Sequence, residues 1–208
     1  MNKIITISRE FGSGGKEIAK RLADKLGYSY YDSKIITLLA KETNMSEEYI
    51  KDISEKGIYP YAFQFAKSFA MYGAMQNVQT EILVAQSKIL KQIAEKGNAI
   101  IVGRGANSIL KEYNPMNIFV YANMESKINR CKQKADSEEN LTDKELEKKI
   151  KTIDKNRKDF NDLISNAEWG DKENYKLCIN TSNLEIKTII PSLADYIENW
   201  FGGKESGN

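Results

Sequence analysis

The chain has 208 residues, with 31 Lys and Arg against 29 Asp and Glu, a net charge of +2 and no histidine. This length predicts one domain with a substantial core. The near-balance of charge argues against a general nucleic-acid or membrane-surface binder. The lack of histidine excludes Ser-His hydrolysis, histidine general-base catalysis and nearly all ordinary zinc sites.

The same composition predicts a cellular compartment. No apolar stretch reaches about 18 residues, so we expect no membrane span. The first residues enter a predicted strand directly, which leaves no room for a signal peptide. Cys131 and Cys178 are far apart in the chain and indicate reduced thiols. We therefore expect a cytoplasmic protein with small-molecule partners, whose oligomeric state the sequence does not predict.

Apolar runs alternate with segments of helical periodicity along the chain. The predicted strands cover residues 2–8, 28–31, 99–103, 117–122 and 175–180. The first predicted helix follows the glycines at 12–15 and ends at residue 26. The other predicted helices cover residues 33–43, 76–96, 123–134, 143–166 and 184–201. This alternation predicts an α/β fold with a five-stranded parallel sheet and helices on both faces.

Three segments fall outside this pattern. Residues 44–75 are rich in aromatic side chains, for which we favour a packed helical subdomain over the lining of a site for an aromatic ligand. The polar stretch 135–145 predicts a mobile loop. Thr142 and Glu145 have the spacing of a capping box at the start of the following helix. The tail 202–208 predicts disorder.

A glycine-rich turn separates the first strand from the first helix. Gly12, Gly14 and Gly15 permit the positive φ angles and close backbone approach that bring several N–H groups onto one phosphate. The N-terminus of the helix adds its dipole, and Lys16 adds a charge for the outer phosphates. A plain strand-to-helix turn is the alternative, but the flanking elements and the lysine favour a phosphate-binding turn.

Two glutamates depart from the strict G-x-x-x-x-G-K-[ST] spacing. Glu10 stands at the first glycine position, and Glu17 stands where a hydroxyl would normally touch Mg²⁺. Either carboxylate could reach the metal directly or through water, or could lie outside it and repel phosphate. The sequence leaves these alternatives open.

Charged residues also follow two other strands. Arg104 lies between two glycines directly after the strand at 99–103, at the sheet edge where ligands of parallel sheets bind, although a surface arginine is the alternative. Asp32 follows the strand at 28–31, where it either binds substrate or caps the next helix.

The helix at 143–166 carries an arginine on its apolar stripe. Arg157 follows Ile153 by four residues and precedes Phe160 by three, with Asp154 one turn away. An arginine on an inward face needs an anionic partner, either Asp154 in a structural pair or a bound phosphate. We favour a shared role, in which Asp154 directs Arg157 towards the cleft. Arg130, beside the predicted mobile loop, is a second candidate for a phosphate clamp.

Five separated segments in this order resemble the cytidylate kinase-like family: "ITISREFGSGGKEIAKRLADKLGYSYYD", "AQSKIL…IIVGRGANSIL", "IFVYA", "IDKNR" and "EWGDKENYKLCINTS". The resemblance runs from about residue 3 to about residue 197. It implies the three-layer P-loop NTPase fold, with a helical acceptor-binding insertion at 33–88, a short lid at 132–150, and ATP with Mg²⁺ as the phosphoryl donor.

The resemblance also implies roles for individual residues. Gly12, Ser13, Gly14, Gly15, Lys16 and Glu17 would hold the ATP phosphates, and Asp32 and Arg104 would face the acceptor. Arg130, Asp154 and Arg157 would act with Lys16 in phosphoryl transfer, and Thr181 and Ser182 would lie near the adenine. From the residues alone, and not from the resemblance, Glu17 or Glu10 is the candidate carboxylate for Mg²⁺. Cytidylate kinases carry acids where this chain has Val102 and Gly105, next to the Gly-Arg pair.

Three functional hypotheses follow. The first is ATP-dependent phosphoryl transfer to a nucleoside monophosphate, CMP or dCMP above all. The second is a kinase for another small acceptor. The third is a nucleotide-binding regulatory module without turnover, which would not need arginines from several separate segments.

Overall fold

A computed structural model of the protein describes residues 2–56, 69–134 and 141–205. Its centre is one parallel sheet of five strands in the order β2-β3-β1-β4-β5. The strands are β1 (Ile4–Arg9), β2 (Ser29–Tyr31), β3 (Ala99–Val102), β4 (Met116–Tyr121) and β5 (Leu177–Asn180). All five lie within two residues of their predicted bounds, so the predicted parallel sheet is confirmed.

Helices connect the strands and cover both faces of the sheet. They are α1 (Gly15–Leu26), α2 (Lys34–Thr43), α3 (Glu47–Lys56), α4 (Phe69–Lys96), α5 (Ala106–Ile109), α6 (Met124–Lys134), α7 (Asp143–Ile164) and α8 (Ile186–Glu205). Short 3-10 segments follow at Lys111–Tyr113 and Lys172–Asn174. The predicted capping box at the start of α7 is present, with both the Thr142 and the Glu145 side chain accepting a backbone N–H.

In the part of the chain that the structure describes, the core consists of two apolar clusters, one on each face of the sheet. Ile5 and Ile7 of β1 pack with α1 and α8 on one face. Ile4 of β1 and Ile101 of β3 pack with α2 and α4 on the other. Both faces are covered, which explains why β1 reads as a continuous apolar run rather than as an alternating one.

Some boundaries differ from those predicted. The last helix continues to Glu205, so the predicted disorder is wrong for residues 202–205. A glycine costs a helix only about 1 kcal/mol, and the buried Phe201 holds the preceding turn against the core. Residues 206–208 lie outside the described part, as do 57–68 of the aromatic segment and 135–140 of the predicted loop. The insertion at 33–88 and the lid at 132–150 stay predictions.

Across the described residues, no helix combines the length and the apolar character needed to cross a membrane.

Candidate functional site

The glycine-rich turn joins β1 to the N-terminus of α1. Gly12 and Gly14 have φ of 76° and 84°, in the left-handed region that glycine adopts without strain. Ser13 is fully buried, and its hydroxyl donates to the Glu10 carbonyl at 2.8 Å. The turn therefore has a fixed shape, and its glycines stand directly before the first N–H groups of α1.

The turn opens into a cavity of about 1520 Å³. This exceeds the roughly 300–1,000 Å³ of a site for one small ligand and suits two ligands side by side. Among the described residues, ten basic side chains line the cavity against five acidic ones. The basic residues are Arg9, Lys16, Lys34, Lys51, Arg104, Arg130, Lys132, Lys134, Lys149 and Arg157; the acidic ones are Glu10, Glu17, Asp32, Glu47 and Glu48. The surplus of positive charge suits anionic ligands.

Lys16 and Asp32 meet directly in this cavity. The Lys16 Nζ lies 2.8 Å from Asp32 Oδ2, with the lysine side chain 71% exposed and the aspartate only 15%. The pair joins the start of α1 to the carboxyl end of β2. The structure thus brings together the lysine predicted to bind phosphate and the aspartate predicted to bind the acceptor.

Arg104 lies in an unusual backbone turn after β3. Gly103, Arg104 and Gly105 have φ of 70°, 60° and 61°, three left-handed residues in succession. For a non-glycine residue this conformation costs about 1–2 kcal/mol. The Arg104 carbonyl accepts a hydrogen bond of 2.9 Å from Gln86, which is 2% exposed. The turn is held from α4 and puts Arg104 at the cavity.

Gly105 explains why this chain lacks an acid after the arginine. A Cβ at this position would lie 1.8 Å from Ile164 Cδ1 at the end of α7. The φ of 61° disfavours most L side chains as well. An aspartate at this position would have to displace the end of the Ile164 side chain.

Arg157 reaches from α7 to the end of β1. Its Nη1 donates to the Arg9 carbonyl at 3.0 Å and lies 3.6 Å from Asp154 Oδ1, and its guanidinium stands over the Phe11 ring. Its side chain is 25% exposed and lines the cavity. The predicted pairing of Asp154 with Arg157 is present.

Arg130 connects α6 to two loops. It donates to the Gly12 carbonyl at 3.5 Å, to the Thr181 hydroxyl and carbonyl, and to the Leu184 carbonyl at 3.1 Å. Burial lowers the pKa of its guanidinium, and the charge of Glu17 opposes this change. Arg130 lines the cavity while it ties the glycine-rich turn to the loop after β5.

Thr181 and Ser182 lie in that loop after β5. The fully buried Thr181 donates its hydroxyl to the Ser13 carbonyl at 2.7 Å. The Ser182 hydroxyl accepts from the Asn123 N–H at 2.7 Å and donates to Asn180. Thr181 therefore holds the backbone of the glycine-rich turn at Ser13, and Ser182 joins the loop to the start of α6.

The two candidate metal carboxylates are each paired with cations. Glu10 Oε2 lies 2.8 Å from the Lys127 Nζ, while Glu17 lies 3.0 Å from both Arg21 and Lys134. Burial raises the pKa of Glu17, but hydrogen bonds and charge from Lys134 and Arg21 outweigh it, and the pKa falls below its usual value. Carboxylate oxygens suit Mg²⁺, which keeps several waters in most protein sites.

No cluster of three or more metal-ligating side chains occurs within residues 2–56, 69–134 and 141–205. Glu10 and Glu17 both line the cavity.

Two partly buried groups near the site have raised pKa values. Burial raises the pKa of Asp154, against the opposing effects of the Phe11 N–H and the charges of Lys127 and Arg157. Burial together with the charge of Asp32 raises the pKa of Tyr30 to about 12. Tyr30 therefore stays a neutral phenol beside Asp32 at any physiological pH.

Sequence reasoning missed two residues of the site. Arg9 lines the cavity, packs over Gly103 and provides the carbonyl that accepts Arg157. Lys127 is 5% exposed and contacts both Glu10 and Asp154. A signal for Lys127 was present, because it stands in the first turn of α6, where the helix dipole disfavours a cation.

Residues 4–183 match the sequence profile of the cytidylate kinase-like family. The chain belongs to the cytidylate kinase-like family. Cytidylate kinases of Fervidobacterium nodosum and Saccharolobus islandicus are each 24% identical to it; the alignments cover 93% of this chain and 95% and 90% of the relatives. The resemblance that the five sequence segments indicated is confirmed.

Solved structures agree with this assignment at the level of the fold. A crystal structure of an uncharacterized protein from Eubacterium ventriosum has a TM-score of 0.69 at 25% identity and covers 94% of this chain and 98% of its own. A shikimate kinase from Bacteroides thetaiotaomicron has a TM-score of 0.56 at 15% identity, with 95% and 99% covered. The fold of this family member is that of the P-loop kinases.

Proposed function

We propose that the protein transfers the γ-phosphoryl group of ATP to a nucleoside monophosphate, with CMP or dCMP as the favoured acceptor. The observation that carries this proposal is one continuous cavity that joins the glycine-rich turn to Asp32 and Arg104. A donor at the turn and an acceptor at the ends of β2 and β3 would then face each other.

The reaction needs position and positive charge more than it needs a base. An oxygen of the acceptor phosphate attacks the γ-phosphorus of ATP. The bond to the β-γ bridging oxygen breaks, so ADP leaves and the acceptor becomes a nucleoside diphosphate. Lys16 would neutralise the outer phosphates, and Arg157 would stabilise the charge of the transferring group. This division suits a chain without histidine.

Arg130 and Asp154 complete the proposed catalytic set. Arg130 would present its guanidinium to the phosphates from the α6 side, and Asp154 would orient Arg157 from the same turn of α7. Asp32 would accept hydrogen bonds from the acceptor once Lys16 turns to the phosphates. Thr181 and Ser182 would place the loop after β5 near the adenine.

A kinase for another small acceptor is the second candidate. The observation in its favour is Gly105, where the left-handed backbone and the Ile164 side chain both disfavour the acid that cytidylate kinases carry. An acceptor site built without that acid need not prefer cytosine.

The test is release of ADP by the purified protein with ATP and Mg²⁺, with CMP, dCMP, UMP, AMP and GMP offered in turn. Stimulation by CMP or dCMP supports the first candidate. Stimulation by none of the five, with ATP bound, contradicts a nucleoside monophosphate acceptor. A second panel of small hydroxyl acceptors, shikimate and gluconate among them, then separates another kinase from a nucleotide-binding regulatory module.

A further inference from the structure

Lys127 is a buried lysine that contacts two carboxylates from two other segments. Its Nζ lies 2.8 Å from Glu10 Oε2 and 3.1 Å from Asp154 Oδ2. Its side chain is 6% exposed, whereas most lysines extend into solvent. Glu10 belongs to the glycine-rich turn, and Asp154 belongs to α7. One cation of α6 therefore joins both.

Both carboxylates in turn hold backbone groups. Asp154 Oδ1 accepts the Phe11 N–H of the glycine-rich turn at 2.6 Å. Glu10 Oε2 accepts the Ala122 N–H between β4 and α6 at 3.2 Å. The backbone of Lys127 also lies against Gly12, since a Cβ on that glycine would be 2.9 Å from the Lys127 carbonyl. The network thus ties the glycine-rich turn to α6 and α7.

The positive charge of Lys127 affects any anionic ligand that binds beside Glu10. Glu10 lines the cavity that Lys16 also lines, so a polyphosphate bound there would lie close to its carboxylate. An unneutralised carboxylate in such a partly buried place repels phosphate strongly, because little solvent separates the two. Lys127 neutralises Glu10 without entering the cavity itself.

We propose that Lys127 is a positioning residue for phosphoryl transfer. It fixes the phosphate-binding turn by bridging Glu10 and Asp154, and it cancels the Glu10 charge beside the ATP phosphates. This inference rests on the proposed function only for its turnover assay, because ATP binding tests it separately.

Lys127→Met removes the cation and keeps the length of the side chain. We expect the Kd for MgATP, measured by calorimetry, to rise about tenfold or more, because the Glu10 charge would be left without its cation beside the ATP phosphates. In the double variant Lys127→Met with Glu10→Gln, most of this loss should be recovered, because the uncompensated charge is gone. A purely structural lysine would lower the midpoint of thermal unfolding without this recovery of affinity.

Lys91→Met is the matched control. Lys91 pairs with Glu112 at 2.7 Å on the exposed side of α4, away from the cavity. The Lys91→Met variant therefore lacks one ion-paired lysine outside the site, and its MgATP affinity should equal that of the wild type. An equal loss of affinity in Lys91→Met would overturn the inference, since it would point to net charge alone.

Two further outcomes would contradict the role proposed for Lys127. The inference is wrong if Lys127→Met binds MgATP as the wild type does, or if the double variant binds no better than the single one. Should Lys127→Met fail to fold, Lys127→Arg keeps the inference testable, because it retains the cation; its MgATP affinity should stay within about threefold of the wild type. A folded Lys127→Arg variant that loses about tenfold in affinity would overturn charge cancellation.

Turnover separates this inference from the proposed function. A wild type that binds MgATP but phosphorylates no acceptor contradicts the proposed function, while the affinities of the variants still test Lys127. A wild type that binds no MgATP overturns both.

Discussion

Gly105→Ala tests the turn that carries Arg104. The added Cβ would lie 1.8 Å from Ile164 Cδ1 and 3.3 Å from its Cγ1, with Phe160 at 3.6 Å. Overpacking of this kind costs about 1–3 kcal/mol. The left-handed backbone, with φ of 61°, adds about 1–2 kcal/mol for an L residue. We therefore expect the free energy of unfolding to fall by about 2–5 kcal/mol.

The assay is thermal unfolding followed by circular dichroism. For a domain of this size the midpoint should fall by roughly 4–20 °C. Ile164→Val removes the clashing Cδ1 atom. The double variant Gly105→Ala with Ile164→Val should therefore recover the stability lost to overpacking, while the stability lost to the strained backbone should not return. Ile164→Val alone is the control and should cost less than about 1.5 kcal/mol.

Two results would refute this reasoning. A midpoint for Gly105→Ala within about 1 °C of wild type would mean that the turn does not have the left-handed conformation or the contact with α7. A double variant no more stable than Gly105→Ala would mean that Ile164 is not the group that the new methyl meets.

Three further predictions concern the site and α7. Lys16→Ala should abolish phosphoryl transfer yet change the free energy of unfolding by less than about 1 kcal/mol, because the lysine end of its pair with Asp32 is exposed; wild-type turnover would show that the turn is wrongly assigned. Arg157→Ala should lower kcat about 100-fold or more with little change in ATP affinity, as measured by steady-state kinetics and calorimetry, because its charge matters most in the transition state; an equal loss of stability and activity would make it a structural pair. Thr142→Ala should lower the thermal midpoint by about 2–4 °C at pH 7 through loss of the N-cap. Hydrogen bonds from Thr142 lower the pKa of Glu145 in the folded protein. The stability that these bonds contribute is present above the usual glutamate pKa and is lost as the pH falls through the lowered pKa of Glu145. The difference in thermal midpoint between Thr142→Ala and wild type should therefore shrink at pH 3.

The sheet could be predicted from the sequence because its strands are buried on both faces and therefore stand out as short apolar runs. β1 and β3 have this character, and each is followed by residues that the carboxyl edge of a parallel sheet brings into one cavity. The same edge explains why Asp32 and Arg104 could be predicted as cavity residues without any contact being known.

Lys127 and Arg9 could not be predicted in this way. The place of Lys127 in the first turn of α6 is unusual for a cation, but it does not reveal burial, since the partners Glu10 and Asp154 are distant in sequence. Only the packing of α6 against the turn and α7 buries it. The role of Arg9 likewise depends on Gly103, a contact between two neighbouring strand ends that no spacing in the sequence reveals.

The contact between Lys16 and Asp32 has a thermodynamic consequence for the two substrates. In the proposed reaction, ATP draws Lys16 away from Asp32 and leaves that carboxylate available to the acceptor. ATP then raises the affinity for the acceptor, and by linkage the acceptor raises the affinity for ATP by the same factor. One exposed lysine would thus make the occupancy of each half of the cavity depend on the other, with no movement of a helix or strand.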